Sequence, residues 1–200
     1  MVGAKPPHLL TPQDRKKNYR REDLFVDVGL PASRVRELVR IGDLMALDGP
    51  AVALKNNRFA CKTMDDRACV AMMLLAAEAL GGMHHRADVY FVASAQEEVG
   101  SRGARAAAFD LAPDLAVVLD VCHGPVPGSR PDTTCELTSL AVGVGPLLQP
   151  KLTRRLMDTA KKHGVVLQTE IFPKSTSTDA DRVQLTRAGV PTVLLELPLK

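Results

Sequence analysis

Apolar residues recur at Ala68, Ala71, Met72, Leu75, Ala76 and Ala79, the i, i+3, i+4, i+7 spacing of a helix that lays one face on a sheet, and core packing is the plain reading of these positions. Residues 89–93 and 115–121 are short unbroken apolar runs with β-branched members, as expected of strands covered on both faces. Between them, residues 102–109 predict a short alanine-rich helix closed by Pro113. Residues 151–163 predict a second amphipathic helix stopped by Gly164, followed by a strand over 165–172, a helix over 179–187 and a last strand over 192–197. This alternation from residue 59 onward argues for an α/β layered domain. Residues 1–58 differ. A Pro6-Pro7 start, a strand-like stretch over 23–28, a short helical stretch over 35–39 and the turn Ile41-Gly42-Asp43 are too few elements to close a core, and they read as part of a smaller β-rich unit.

Composition narrows the function classes. A chain of 200 residues is long enough to bury one core, or one and part of another. With 46% hydrophobic and 24% charged residues it is an ordinary globular protein, not a disordered one. The net charge of +3 is interspersed, and the 4% aromatic content includes no tryptophan, which leaves little for a nucleic-acid platform. The most apolar stretch, residues 68–80, is interrupted by Glu78 and is shorter than the roughly 20 residues that span a bilayer. Cys61, Cys69, Cys122 and Cys135 form no CxxC pair and no secretory leader is visible, so the expectation is reduced thiols in the cytoplasm, with no nucleic acid and no membrane as partners.

In open α/β sheets ligands sit beyond the carboxyl ends of strands. The run over 89–93 leads into Gln96-Glu97-Glu98-Val99-Gly100, and the run over 115–119 leads into Asp120-Val121. A third acidic cluster, Asp65-Asp66, stands just before the first helix. If the strands are neighbours, these carboxylates converge on one edge of the sheet. Crowded carboxylates raise one another's pKa unless cations lie between them. A pair of divalent ions about 3.5–4 Å apart resolves the repulsion and polarises an attacking water, and a spare carboxylate then takes its proton. Each cluster also has a plainer use. Asp65 or Asp66 suits a helix N-cap, as does Asp179 after Ser175-Thr176-Ser177-Thr178; Glu97-Glu98 suits solvated surface, and Asp120 suits the start of a turn. Their joint placement on one side of one sheet favours the functional reading.

The chain resembles the glutamyl aminopeptidase and cellulase-M group of metallo-aminopeptidases, relatives of the tetrahedral aminopeptidases. The likeness rests on Gly3-Ala4-Lys5-Pro6-Pro7-His8-Leu9-Leu10, Asp23-Leu24-Phe25-Val26-Asp27-Val28-Gly29, Asp65-Asp66-Arg67, Gln96-Glu97-Glu98-Val99-Gly100, Asp120-Val121, Thr178-Asp179-Ala180 and Ala188-Gly189-Val190-Pro191-Thr192, in family order across essentially the whole chain. The resemblance implies a three-layer αβα zinc-peptidase-like sheet over 59–200, with residues 1–58 as part of an inserted β-rich oligomerisation domain. It implies two divalent ions per subunit, zinc or cobalt, with Asp65 as the bridge, Glu98 on one ion, Asp120 on the other and Glu97 as general base. Asp66 is the weaker candidate for the bridge, since relatives often carry Asn there. It also implies peptide substrates and homo-oligomers, commonly dodecamers. The family places one metal-binding histidine motif upstream of the insert and another histidine after the last strand. This chain is therefore expected to be cut short at both ends, with part of its metal site missing and its catalysis impaired. His84, His85 and His123 do not fall at the family's histidine positions, and His8 and His163 read as surface or packing residues. Other function classes are a non-catalytic assembly subunit of the same fold and a glycoside hydrolase. The second is disfavoured because adjacent Glu97 and Glu98 need not flank a sugar.

Overall fold

The chain divides into two units, Met1–Asp48 and Gly49–Lys200, and the computed structural model describes residues 2–200. The division falls ahead of residues 52–60, so the expected boundary at 58/59 would have split a hairpin that stays with the second unit.

In the first unit β1 (Val2–Ala4) and β2 (Leu24–Val26) form an antiparallel ladder that pairs Gly3 with Phe25. The Phe25 ring lies over Gly3, so an added Cβ would meet it at 2.7 Å and shift this exposed side chain. Helix α1 (Ala32–Leu38) starts after Pro31, whose fixed φ suits the helix entry. None of residues 2–48 is buried, in keeping with an element set too small to close a core.

The second unit opens with the hairpin β3 (Val52–Leu54) and β4 (Arg58–Ala60). Its turn residues Asn56 and Asn57 both have positive φ, 60° and 54°, a conformation asparagine tolerates and hairpins favour. Helix α2 (Met64–Gly81) follows, then α3 (Arg102–Leu111), β5 (Ala116–His123), β6 (Leu140–Val144), α4 (Pro150–Lys162), β7 (Leu167–Ile171), the four-residue α5 (Ala180–Val183) and β8 (Thr192–Leu199). The sheet order is β5-β8-β6-β7, with β5 parallel to β8, β6 parallel to β7, and β6 antiparallel to β8. Val118 and Leu194 on one face join Ala104 and Ala108 of α3 and Ala180 and Val183 of α5 in the main core. By strand alternation Val142 and Val193 turn to the opposite face, where α2 contacts β5 and β8, and α4 contacts β6 and β8. These are the helix, sheet and helix layers expected of the α/β reading.

Three expectations are corrected. Residues 89–93 form no strand: they enter no ladder, and Val89, Tyr90, Phe91 and Val92 are 39–62% exposed. The apolar run carries the signature of a covered strand, but no described segment pairs with it. The α2 face at Ala68, Ala71, Leu75 and Ala79 is not core; Leu75 is 67% exposed, whereas Cys69 is 1% exposed. Cys69 is the one buried residue of α2, and the half-buried residues beside it run through Met72, Met73, Ala77 and Leu80. The helix expected over 179–187 shrinks to one turn. Strand β6 escapes the pattern because Gly143 reads as a strand breaker. Its missing Cβ is what lets the strand lie flat, since a methyl there would come within 2.9 Å of Leu148 Cδ1 and 3.1 Å of Leu194 Cβ.

Gly103, on the first turn of α3, has a similar role: a Cβ would lie 2.4 Å from the Ala95 carbonyl oxygen and 2.5 Å from its nitrogen. Gly→Ala in a helix ordinarily stabilises. We expect G103A to destabilise by about 1–3 kcal/mol, while G81A, which meets no atom within 4 Å, gains a few tenths to about 1 kcal/mol. Urea unfolding of the two variants beside the unaltered chain checks the opposite signs.

Candidate active site

The acidic pair Asp65-Asp66 sits in the first turn of α2, where both residues depart from helical φ/ψ. Asp66 Oδ1 accepts the backbone N–H of Cys69 at 3.3 Å, the i to i+3 bond of an N-cap. The capping role therefore falls to Asp66, and Asp65 borders the cavity described below. Cys69 donates its thiol to the Asp120 carbonyl at 3.2 Å, fastening the start of α2 to β5.

Glu97 and Glu98 occupy a tight turn between Gln96 and Gly100, both with positive φ (61° and 112°). The turn is held by its main chain. Gly100 and Ser101 N–H donate to the Glu97 carbonyl at 2.9 Å, and Gly103 N–H donates to the Ala95 carbonyl at 2.8 Å. The Ser101 hydroxyl adds a 3.4 Å bond to Glu97 Oε1. Asp120 lies within β5, in register with Glu196 of β8, and its Oδ1 accepts the Val121 N–H at 2.8 Å.

Asp65, Glu97, Glu98 and Asp120 thus line one cavity of about 460 Å³. The convergence does not depend on a strand at 89–93. It comes from the 96–103 turn, which α3 anchors. His123 also borders this cavity. His85 instead places Nδ1 2.7 Å from the Ala87 carbonyl in its exposed turn.

The electrostatics are those of crowded carboxylates. Burial pushes Asp120 up to about 7, with repulsion from Asp66, Glu97 and Asp65 adding to it. Burial also raises Glu97, aided by the charges of Asp179, Glu98 and Asp65. Glu196 rises to about 8 through burial, then through Glu170 and Asp120. Three buried carboxylate oxygens in this region, Glu170 Oε2, Asp179 Oδ1 and Glu196 Oε2, have no hydrogen-bond partner. A set of oxygen donors that repel one another and leave buried lone pairs unmet fits divalent cations.

Two residues of this region hold places other than those the sequence suggests, an N-cap for Asp179 and a plain strand position for Glu196. Asp179 does not cap α5 with its side chain; it accepts the Ser94 hydroxyl at 2.5 Å, 85 positions away. The cap-like bonds around it come instead from Thr178 Oγ1, which accepts Ala180 N–H, and from Asp181, which accepts Thr176 N–H. Glu196 was read only as part of a strand. Its signal was present, a single acid inside the apolar run Val193-Leu194-Leu195-Glu196-Leu197.

The model of a family described as M42 glutamyl aminopeptidase matches residues 1–200. The lysyl aminopeptidase of Pyrococcus furiosus is 37% identical over 204 residues, covering 100% of this chain and 58% of that protein. Among solved structures, a TET aminopeptidase from a marine sediment Thaumarchaeota archaeon superposes with a TM-score of 0.87 at 31% identity, over 99% of this chain and 58% of its own. The TET1 peptidase of Pyrococcus horikoshii, described as assembling into a tetrahedron or a large octahedral shell, gives a TM-score of 0.80 at 25% identity over 98% of this chain and 58% of its own. The chain therefore spans about 58% of the length of these relatives.

The raised carboxyls carry a pH signature. A folded-state pKa above the unfolded value near 4 means that protons favour the fold. This contribution is complete below about pH 4 and is lost as the pH rises through about 7 for Asp120 and about 8 for Glu196. Without added divalent ions, the urea midpoint should fall from mildly acid to mildly alkaline pH, and D120N and E196Q should each flatten the fall. An unchanged slope in both variants would assign it elsewhere.

Proposed function

Since the chain belongs to the M42 glutamyl aminopeptidase family, we propose that it carries the larger part of the catalytic machinery of a metal-dependent aminopeptidase, which removes N-terminal residues from peptides. The observation that carries this reading is the convergence of Asp65, Glu97, Glu98 and Asp120 on one cavity. Asp65, Glu98 and Asp120 are the proposed holders of two divalent ions, zinc or cobalt, with Asp65 shared between them. When bound, such ions polarise a scissile carbonyl and lower the pKa of water. Glu97 is the proposed general base: it takes the proton of the attacking water and returns it to the leaving amine. Burial, which makes the Glu97 carboxylate more basic, suits that task. A cavity rimmed by carboxylates also attracts the ammonium of a free peptide N-terminus. That attraction favours cleavage at chain ends over a neutral polysaccharide.

The first unit, Met1–Asp48, is proposed as part of an assembly unit for a homo-oligomer. The shells described for the Pyrococcus horikoshii relative and the exposed apolar side chains Phe25, Ile41 and Leu44 support this. Among the described residues no helix is long and apolar enough to cross a membrane. A cytoplasmic setting is proposed, in accord with four free cysteines.

Bound zinc or cobalt per subunit, measured with cleavage of amino-acid anilides bearing free or acetylated amines, tests the reading. With Asp65, Glu98 and Asp120 supplying only two protein ligands per ion, weak binding of up to two ions and slow, chelator-sensitive cleavage of the free amines alone are expected. E97Q should lower kcat by about 10²–10⁴-fold with ion binding retained, and D120N should lower ion occupancy. Cleavage that survives chelation, or equal cleavage of acetylated substrates, would exclude this mechanism. A chain that binds neither ion and cleaves nothing would be a non-catalytic member of the family.

A further inference from the structure

We propose that Cys122, Cys135 and Glu170 form a separate thiolate-containing site for a zinc-class divalent ion. One ligand atom from each of the first three residues lies within 4.8 Å of the other two. Ligands about 2.0–2.3 Å from a single tetrahedral ion fit that spread with little movement. Cys122 and Cys135 are each 6% exposed and pack with Ala141. Two thiols and a carboxylate behind a small apolar residue favour a softer ion than the all-oxygen set of Asp65, Glu98 and Asp120.

The unpartnered carboxylate oxygens nearest the thiols point to a missing ligand as well. Glu196 is 2% exposed with Oε2 unpartnered, and Glu170 likewise buries an unpartnered Oε2. Buried carboxylate oxygens without partners are costly, and a cation between them and the thiols removes the cost. The sheet prepares the place. Cys122 on β5 and Glu170 on β7 belong to strands separated by β8 and β6. On β6 the residue of the same face beside Glu196 is Ala141, which packs with both thiols. Cys135 is set by its own N–H, which donates to the His123 carbonyl at 2.8 Å. Its neighbour Glu136 exchanges two bonds with the Gln168 side chain, at 2.7 and 2.8 Å. Donors held by main-chain bonds in this way are already in position for a metal. An ion there would rivet the 134–139 segment to β5 and β7 at the wall of the catalytic cavity, which Cys122, Glu170 and Glu196 also line.

Cobalt(II) titration of the purified, reduced chain tests this apart from any peptidase activity. Thiolate ligation gives cobalt an intense near-ultraviolet charge-transfer band, which the carboxylate site cannot produce. The expected result is a band that zinc abolishes, that is weakened or lost in C122S and in C135S, and that persists in C61S and in D120N. If the cysteine variants do not fold, X-ray absorption of the zinc-loaded unaltered chain still decides, with two sulfur ligands expected. A folded chain with no band, a full band in C122S, or a Cys122–Cys135 disulfide as the stable form under the same conditions would overturn the proposal. Loss of peptidase activity with the band intact would count against the proposed function alone.

Discussion

Two like charges lie side by side in the ladder between β5 and β8, where Asp120 is in register with Glu196. A parallel pair of strands normally fills such positions with aliphatic side chains, and like charges directly opposite destabilise a sheet. Much of what surrounds this pair follows from it. Burial and repulsion keep the two carboxyls protonated at higher pH than usual, and the adjoining cavity collects further acids from a helix start and a tight turn. An arrangement of this kind lowers the stability of the chain without bound ions, and the proposed metal-holding role would give it a use.

Legibility in the sequence followed the range of the interactions. Helices α3 and α4 and strands β5, β7 and β8 were readable within a few residues, because their periodicity and stop signals are local. Strand β6 was hidden by Gly143, whose value lies in a contact with Leu194, 51 positions away in the chain. The run over 89–93 shows the reverse failure, since its composition describes a covered strand and the described residues provide no ladder partner. On α2 the period was right and its phase was wrong: Cys69 faces the sheet because its thiol has an acceptor on β5.

For the site, Asp65, Glu97, Glu98 and Asp120 were nameable because each abuts a clear element boundary and because the motifs resemble a family. Periodicity alone left an N-cap, a surface pair and a turn as equal readings. The structure divides those roles within the Asp65-Asp66 pair, giving the cap to Asp66. The bond from Ser94 to Asp179 and the grouping of Cys122 with Cys135 and Glu170 join residues far apart in sequence, so no spacing rule could have found them.

The turn that carries Glu97 and Glu98 is fixed by bonds between main-chain atoms of residues 95–103 and by the bare Cα of Gly103. Shape and chemistry are therefore encoded separately at this place. Substitution at 97 or 98 would remove the proposed reactivity while the scaffold persists, so a descendant without that reactivity would keep its outline long after its acids had drifted.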